Sequence, residues 1–163
     1  MKRLRLLKKV IINGFHLFRN EKDGTFSNQD ALLPALNDEE KTGAVFADYD
    51  NDGDLDLVIN NIDQEALILR NDVSGKNFAQ IKLESDKGNV DITNAEVIAY
   101  TPNYTQRLDY AFSRGYQSSV QQLLHFGLGD EELQKVVVKW LDGSVESFED
   151  VSTNSLNVLQ KGK

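Results

Sequence analysis

The sequence contains no cysteine. That excludes disulfides, zinc–thiolate sites, iron–sulfur clusters and cysteine nucleophiles, and it leaves the compartment undecided. Proline is scarce as well, with 2 in 163 residues, which together with the mixed composition argues against collagen-like or low-complexity polymer. Positive charge is in deficit: 18 Lys and Arg stand against 26 Asp and Glu, giving a net charge of −8. Such a balance does not suit a phosphate backbone as partner, so no nucleic-acid partner is expected. Long apolar runs are missing too. No stretch approaches the ~18–20 residues of a spanning helix, so no membrane span is expected.

The start of the chain is an exception to the acidity. Lys2, Arg3, Arg5, Lys8 and Lys9 resemble the charged beginning of a signal peptide. The apolar segment that should follow is only Val10-Ile11-Ile12 before Asn13-Gly14 breaks it. A short basic tail, or a strand with a basic start, is the expectation.

What the chain does have is enough apolar material, 40% of its residues, to bury a core. Helical periodicity is weak. Asp23-Gly24 between Phe18 and Phe26 predicts a hairpin, because glycine accepts the positive φ of such turns. The span 29–37 reads as a loop or short helix interrupted at Pro34, and residues 38–41 as a solvated charge run. Gly43–Ala47 predicts a buried strand, Leu57–Asn61 a second and Ala66–Asn71 a third. The turn-rich stretch Asn71–Asn77 predicts a domain boundary, giving domains 1–75 and 76–163.

From Phe78 onward the pattern has period two. Ile81 and Leu83 alternate with Lys82 and Glu84, and Leu108, Tyr110 and Phe112 alternate with Arg107, Asp109 and Ala111. Glu96–Tyr100 and Val136–Leu141 predict further strands, and Asp142-Gly143 a two-residue hairpin loop. Asp130–Lys135 predicts one helical turn. Many short strands between loop signals mean an all-β fold: a hairpin unit like a propeller blade, followed by a β-sandwich or barrel-like domain.

The clearest motif is acidic. Asp48, Asp50, Asp52, Asp54 and Asp56 occupy alternate positions. On a regular strand they would crowd like charges onto one face. A hard dication among them removes the repulsion, and calcium takes six to eight oxygens at roughly 2.3–2.6 Å in flexible geometry. The register is D-x-D-x-D-G-x-x-D. Asp48, Asp50 and Asp52 would ligate through side chains, Asp54 through its backbone carbonyl, and Asp56 would close the site with its carboxylate. Gly53 permits the sharp turn that gathers them. An EF-hand wants glutamate at the twelfth position, where Ile59 stands, and the flanks read as strands, so Ca2+ is expected in a β-flanked loop. Magnesium fits less well, because it demands a tighter octahedron. The expected role is to cross-link the loop and stabilise the fold.

These residues carry a family resemblance. Phe18-Arg19-Asn20-Glu21-Lys22-Asp23-Gly24-Thr25-Phe26, followed by Val45-Phe46-Ala47 and the loop to Leu57, resembles the FG-GAP/VCBS repeat. Asn94–Val97, Arg114–Ser119, His125-Phe126-Gly127-Leu128-Gly129 and Val138–Gly143 resemble pieces of the ASPIC/UnbV domain. Repeat followed by ASPIC/UnbV is the order of cartilage-acidic-protein-like secreted proteins. The resemblance implies β-propeller blades with calcium loops and an extracellular or periplasmic location. The family pattern often has proline where Leu141 stands, and the glycine-rich entry before the Ala-Glu-Val piece is degenerate here. One complete calcium loop is visible, and a propeller needs roughly four to eight blades. The resemblance therefore implies the C-terminal part of a larger protein, self-associating or packing on missing blades.

Other constellations read as ordinary structure. His16 and His125 are the only histidines, and His125 sits between Leu124 and Phe126 as a strand residue. Gly127-Leu128-Gly129 lacks the third glycine and the lysine of a phosphate loop. Trp140, alternating within a strand, is expected in a core or interface, and Arg114–Ser119 is a candidate binding loop. The expected function is a calcium-binding, non-catalytic extracellular interaction or adhesion module, with glycan or an extracellular protein as partner. No catalytic residue is assigned. The alternatives are an accessory or hydrolase acting on polysaccharide, and a fragment without independent function.

Overall fold

The computed structural model describes residues 16–21, 23–32, 41–61, 65–72, 75–113 and 119–163. The basic start, Pro34, most of the charge run at 38–41 and most of the Arg114–Ser119 loop lie outside these residues. The chain divides into two compact units, 1–72 and 73–163.

In the first unit, β1 (Phe18–Asn20) and β2 (Phe26–Asn28) form the hairpin that Asp23-Gly24 predicts. Gly24 has φ +92°, and the Asp23 carboxylate accepts hydrogen bonds from both the backbone and the hydroxyl of Thr25. A 3-10 turn covers Asp30–Leu32, so the span 29–37 begins as a short helical turn. Then β3 (Lys41–Ala47), β4 (Asp56–Asn61) and β5 (Leu67–Leu69) make a three-stranded antiparallel meander. Ala44, Ile59 and Leu67 fall in one register row, and Phe46, Leu57 and Leu69 in another on the same face. Ile59 is fully buried and Leu57 nearly so. The strand predicted over Gly43–Ala47 is present, but its burial is not as predicted: Val45 and Phe46 are 39% and 42% exposed.

The second unit is a two-sheet sandwich. Its elements are β6 (Asn77–Glu84), α1 (Asn89–Ile92), β7 (Glu96–Tyr100), β8 (Thr105–Asp109), β9 (Leu124–Gly129), β10 (Lys135–Lys139), β11 (Val145–Phe148) and β12 (Leu156–Gln160). One sheet runs β11-β10-β7-β8, the other β12-β6-β9. Period-two alternation sends Ala79, Ile81 and Leu83 of β6 and Leu124, Phe126 and Leu128 of β9 inward, against Val97, Ala99, Val136 and Val138 of the facing sheet. The described strands form two open sheets, not a closed barrel. Trp140 belongs to this core at 3% exposure. Its ring lies 5.4 Å beneath the Lys161 ammonium, which also holds Asp142 at 2.7 Å.

Three predictions need adjustment. The Asp142-Gly143 hairpin has a three-residue loop: Trp140 donates to the Ser144 carbonyl, so residues 141–143 form the bend. Gly143 sits at φ +86°, the left-handed position such a loop requires. No helical turn covers Asp130–Lys135. There the Leu133 amide donates to the Thr153 hydroxyl and the Gln134 amide to the Tyr100 carbonyl, so the backbone bonds outward to neighbouring segments. The alternation through Phe112 is correct, yet β8 stops at Asp109. Tyr110 leaves the strand to bury its ring, donating its hydroxyl to the Gln122 carbonyl and accepting from the Leu83 amide.

Candidate metal centre

The β3–β4 connection is built around Asp56. Ala47 and Asp56 face each other at the base of the hairpin, and residues 48–55 form the loop above them. The loop coils through local side-chain bonds: Asp50 accepts from the Asp52 amide at 3.3 Å, and Asp52 from the Asp54 amide at 3.1 Å. Two residues supply the left-handed backbone this coil needs, Asn51 at φ +61° and the buried Gly53 at +94°.

This folding brings three of the five aspartates together. One carboxylate oxygen each from Asp48, Asp50 and Asp56 lies within 4.8 Å of the others. Two oxygens bound to one calcium at about 2.4 Å are no more than about 4.8 Å apart, so the trio meets the spacing of a single ion. An all-carboxylate donor set is also the chemistry of a hard dication. The carboxylates of Asp52 and Asp54 are not part of that grouping; Asp52 is exposed and Asp54 partly buried. For Asp54 the expected ligand atom is the backbone carbonyl oxygen, not the carboxylate.

Asp56 is the anchor. It is fully buried, and each of its oxygens accepts a backbone N–H at 2.8 Å, one from Tyr49 at the loop's start and one from Asn71 beyond β5. Each carboxylate oxygen has a second lone pair, so these bonds leave capacity for a ligand.

The segment after β5 is the part that sequence reasoning missed. Arg70 Nη1 lies 3.7 Å from Asp50, and Nη2 lies 2.5 Å from Asp72. The Asn71 side chain donates to the Leu55 carbonyl at 3.4 Å. A signal for it exists. Phe18-Arg19-Asn20-Glu21 recurs as Leu69-Arg70-Asn71-Asp72, and Arg19 pairs with Glu21 as Arg70 does with Asp72.

Neither histidine joins the cluster. His16 Nδ1 lies 2.7 Å from Asp30, whose carboxylate also accepts from Asn28 and from the Leu17 amide. Those bonds, the one with His16 foremost, hold Asp30 down at a pKa of about 2. His125 stacks on Phe78 with ring centroids 5.5 Å apart.

Comparison with known proteins places both halves of the chain in known families. Residues 11–59 match the FG-GAP-like repeat, and residues 85–163 match the ASPIC and UnbV family. The chain is 30% identical over 124 residues to cartilage acidic protein 1 of Mus musculus and of Homo sapiens, covering 73% of this chain and 19% of each relative. The Xenopus tropicalis protein of the same name is 28% identical over 108 residues, which is 64% of this chain and 17% of that one. The chain thus spans about a fifth of the length of the curated relatives it matches. With the repeat first and the second family after it, the chain belongs among the cartilage-acidic-protein-like proteins that join an FG-GAP-like repeat to an ASPIC/UnbV domain.

Proposed function

We propose that this chain is a non-catalytic extracellular interaction module whose first unit is stabilised by calcium. The observation that carries the reading is the carboxylate trio: Asp48, Asp50 and the buried Asp56 are gathered to the span of one ion between two strands. Calcium there ties the start of the loop to its end and offsets the repulsion of three adjacent carboxylates. Asp56 and Asp48 supply oxygens fixed by β3 and β4, and Asp50 supplies one from the loop itself. The role is structural, because Asp56, the buried member of the trio, also accepts the backbone amides that hold the meander together.

Of the expected extracellular or periplasmic location, the extracellular one is supported by relatives named for cartilage, a tissue made largely of extracellular matrix. Among the described residues no helix is long and apolar enough to cross a membrane. The partner is a glycan or an extracellular protein. Half-exposed Val45 and Ile68 on one face of the meander, and Phe46 on the other, favour packing on further blades or self-association.

Thermal unfolding of chelated protein, repeated with added calcium, tests the proposal. A ligand present at 100 times its Kd stabilises the native state by ~2.7 kcal/mol, so the midpoint should rise by several degrees. No shift at millimolar calcium would refute it. The non-catalytic part is tested by a screen against polysaccharides; turnover abolished by a carboxylate-to-amide change outside the 48–56 loop would overturn it.

A further inference from the structure

We propose that Arg70 is a built-in competitor for the cation of the Asp48–Asp50–Asp56 loop, sharing its guanidinium between Asp50 and Asp72 and thereby setting how tightly the ion is held. The inference rests on the calcium reading above. Its geometry is independent of that reading: Nη1 reaches Asp50 at 3.7 Å while Nη2 holds Asp72 at 2.5 Å. A planar guanidinium presents several N–H donors in a fixed fork, so one arginine engages two carboxylates at once, which an ammonium on a flexible stem does poorly.

The bland alternative is an ordinary surface pair. Arg70 is 60% exposed at its side chain, and exposed pairs are worth little. Asp50 is itself an exposed residue, but its side chain is 28% exposed and belongs to the trio. A cation within ligand distance of Asp50 lies about 6–8 Å from the guanidinium, no farther than the Debye length of about 8–10 Å, so the two positive charges still repel at low salt. Both also draw on the electron density of the same carboxylate. Asp72 offers the guanidinium a second partner outside the trio. Binding of the dication therefore favours the Arg70–Asp72 pairing over the Arg70–Asp50 one. The same three-residue segment tethers the loop through its backbone, since the Asn71 amide bonds Asp56. The end of β5 thus both shapes the site and opposes its charge.

The test is calcium titration of the full chain by calorimetry at low ionic strength. Arg70→Gln should tighten binding about two- to fivefold, the scale of one partly exposed ion pair. Asp72→Asn should weaken it, and the gain from R70Q should be larger in the Asp72→Asn background, because there Asp50 is the guanidinium's remaining partner. Arg107→Gln, which alters a pair with Glu96 in the other unit, serves as control and should leave affinity unchanged. If R70Q is too unstable to titrate, Arg70→Lys keeps the charge and loses the fork, and should tighten binding by a smaller factor. Unchanged or weaker affinity in the folded Arg70 variant overturns the proposal while leaving calcium binding intact. A wild-type chain that takes up no calcium overturns the calcium reading itself, a failure visible before any variant is compared.

Discussion

Replacing Asp56 by asparagine keeps the size of the side chain and changes its chemistry. One of the two oxygens becomes an NH2 group facing a backbone N–H, from either Tyr49 or Asn71, in a site with no exposure to water. A buried donor left unsatisfied costs about 1–3 kcal/mol. Asp56→Asn should therefore lower the thermal midpoint even in chelator and abolish the calcium response, whereas Asp52→Asn, at an exposed carboxylate, should leave the chelated midpoint nearly unchanged; melts with and without chelator check both. Asp30 gives a pH prediction. Its folded pKa, near 2, lies below the ordinary carboxylate value, chiefly because His16 bonds it. A depressed carboxylate contributes stability that is complete above about pH 4 and disappears as the pH falls toward 2. Wild-type protein should lose more stability across that window than Asp30→Asn, and acid titration of the thermal midpoint measures the difference.

Two hairpins show how an element is written into a few residues. Asp23-Gly24-Thr25 and Asp142-Gly143-Ser144 use one device: the aspartate caps the residue two positions on, and the glycine takes the left-handed φ. Dipeptide chemistry reveals that such a turn exists, but the loop length depends on which flanking backbone groups pair, so the second loop holds three residues where two were expected. Gly143→Ala should cost roughly 1–2 kcal/mol through strain alone, since a Cβ there would meet open space; denaturant unfolding reads it directly. The strands of the second unit were legible because one face of each is buried and the alternation survives in Ile81, Leu83, Val97 and Ala99. Where backbone groups bond to distant segments, as at Leu133 and Gln134, local sequence carries no trace of the partner, and the helical expectation failed. In the candidate site, the spacing of the aspartates and the turn glycine were readable. The recurrence of Arg-Asn-acid at 19–21 and 70–72 marks the segment, but the grip of Arg70 and Asn71 on the loop was not readable, because it joins residues that are adjacent only after β5 pairs with β4. Tyr110→Phe removes the hydroxyl that bonds both Gln122 and Leu83. It should destabilise the sandwich by about 1–3 kcal/mol in the same measurement.

At the scale of the molecule, the chain divides into two compact units, and the hydrophobic core cluster lies in the second. The metal centre lies wholly in the first. Calorimetry should accordingly show two transitions, of which chelator lowers one and leaves the other in place; a single transition moved as a whole by chelator would contradict the division. The sandwich has its own long-range constraint. β12 lies parallel to β6, with Leu156 opposite Gln80, and the Asn157 side chain bonds the Gln80 carbonyl across 77 residues of chain. During synthesis β6 therefore emerges before both of its partners, and its β12 flank stays unpaired longest, until residues 156–160 have been made. Assembly of this sheet is a late, slow event. Until then that flank of β6 is an open template for wrong pairing.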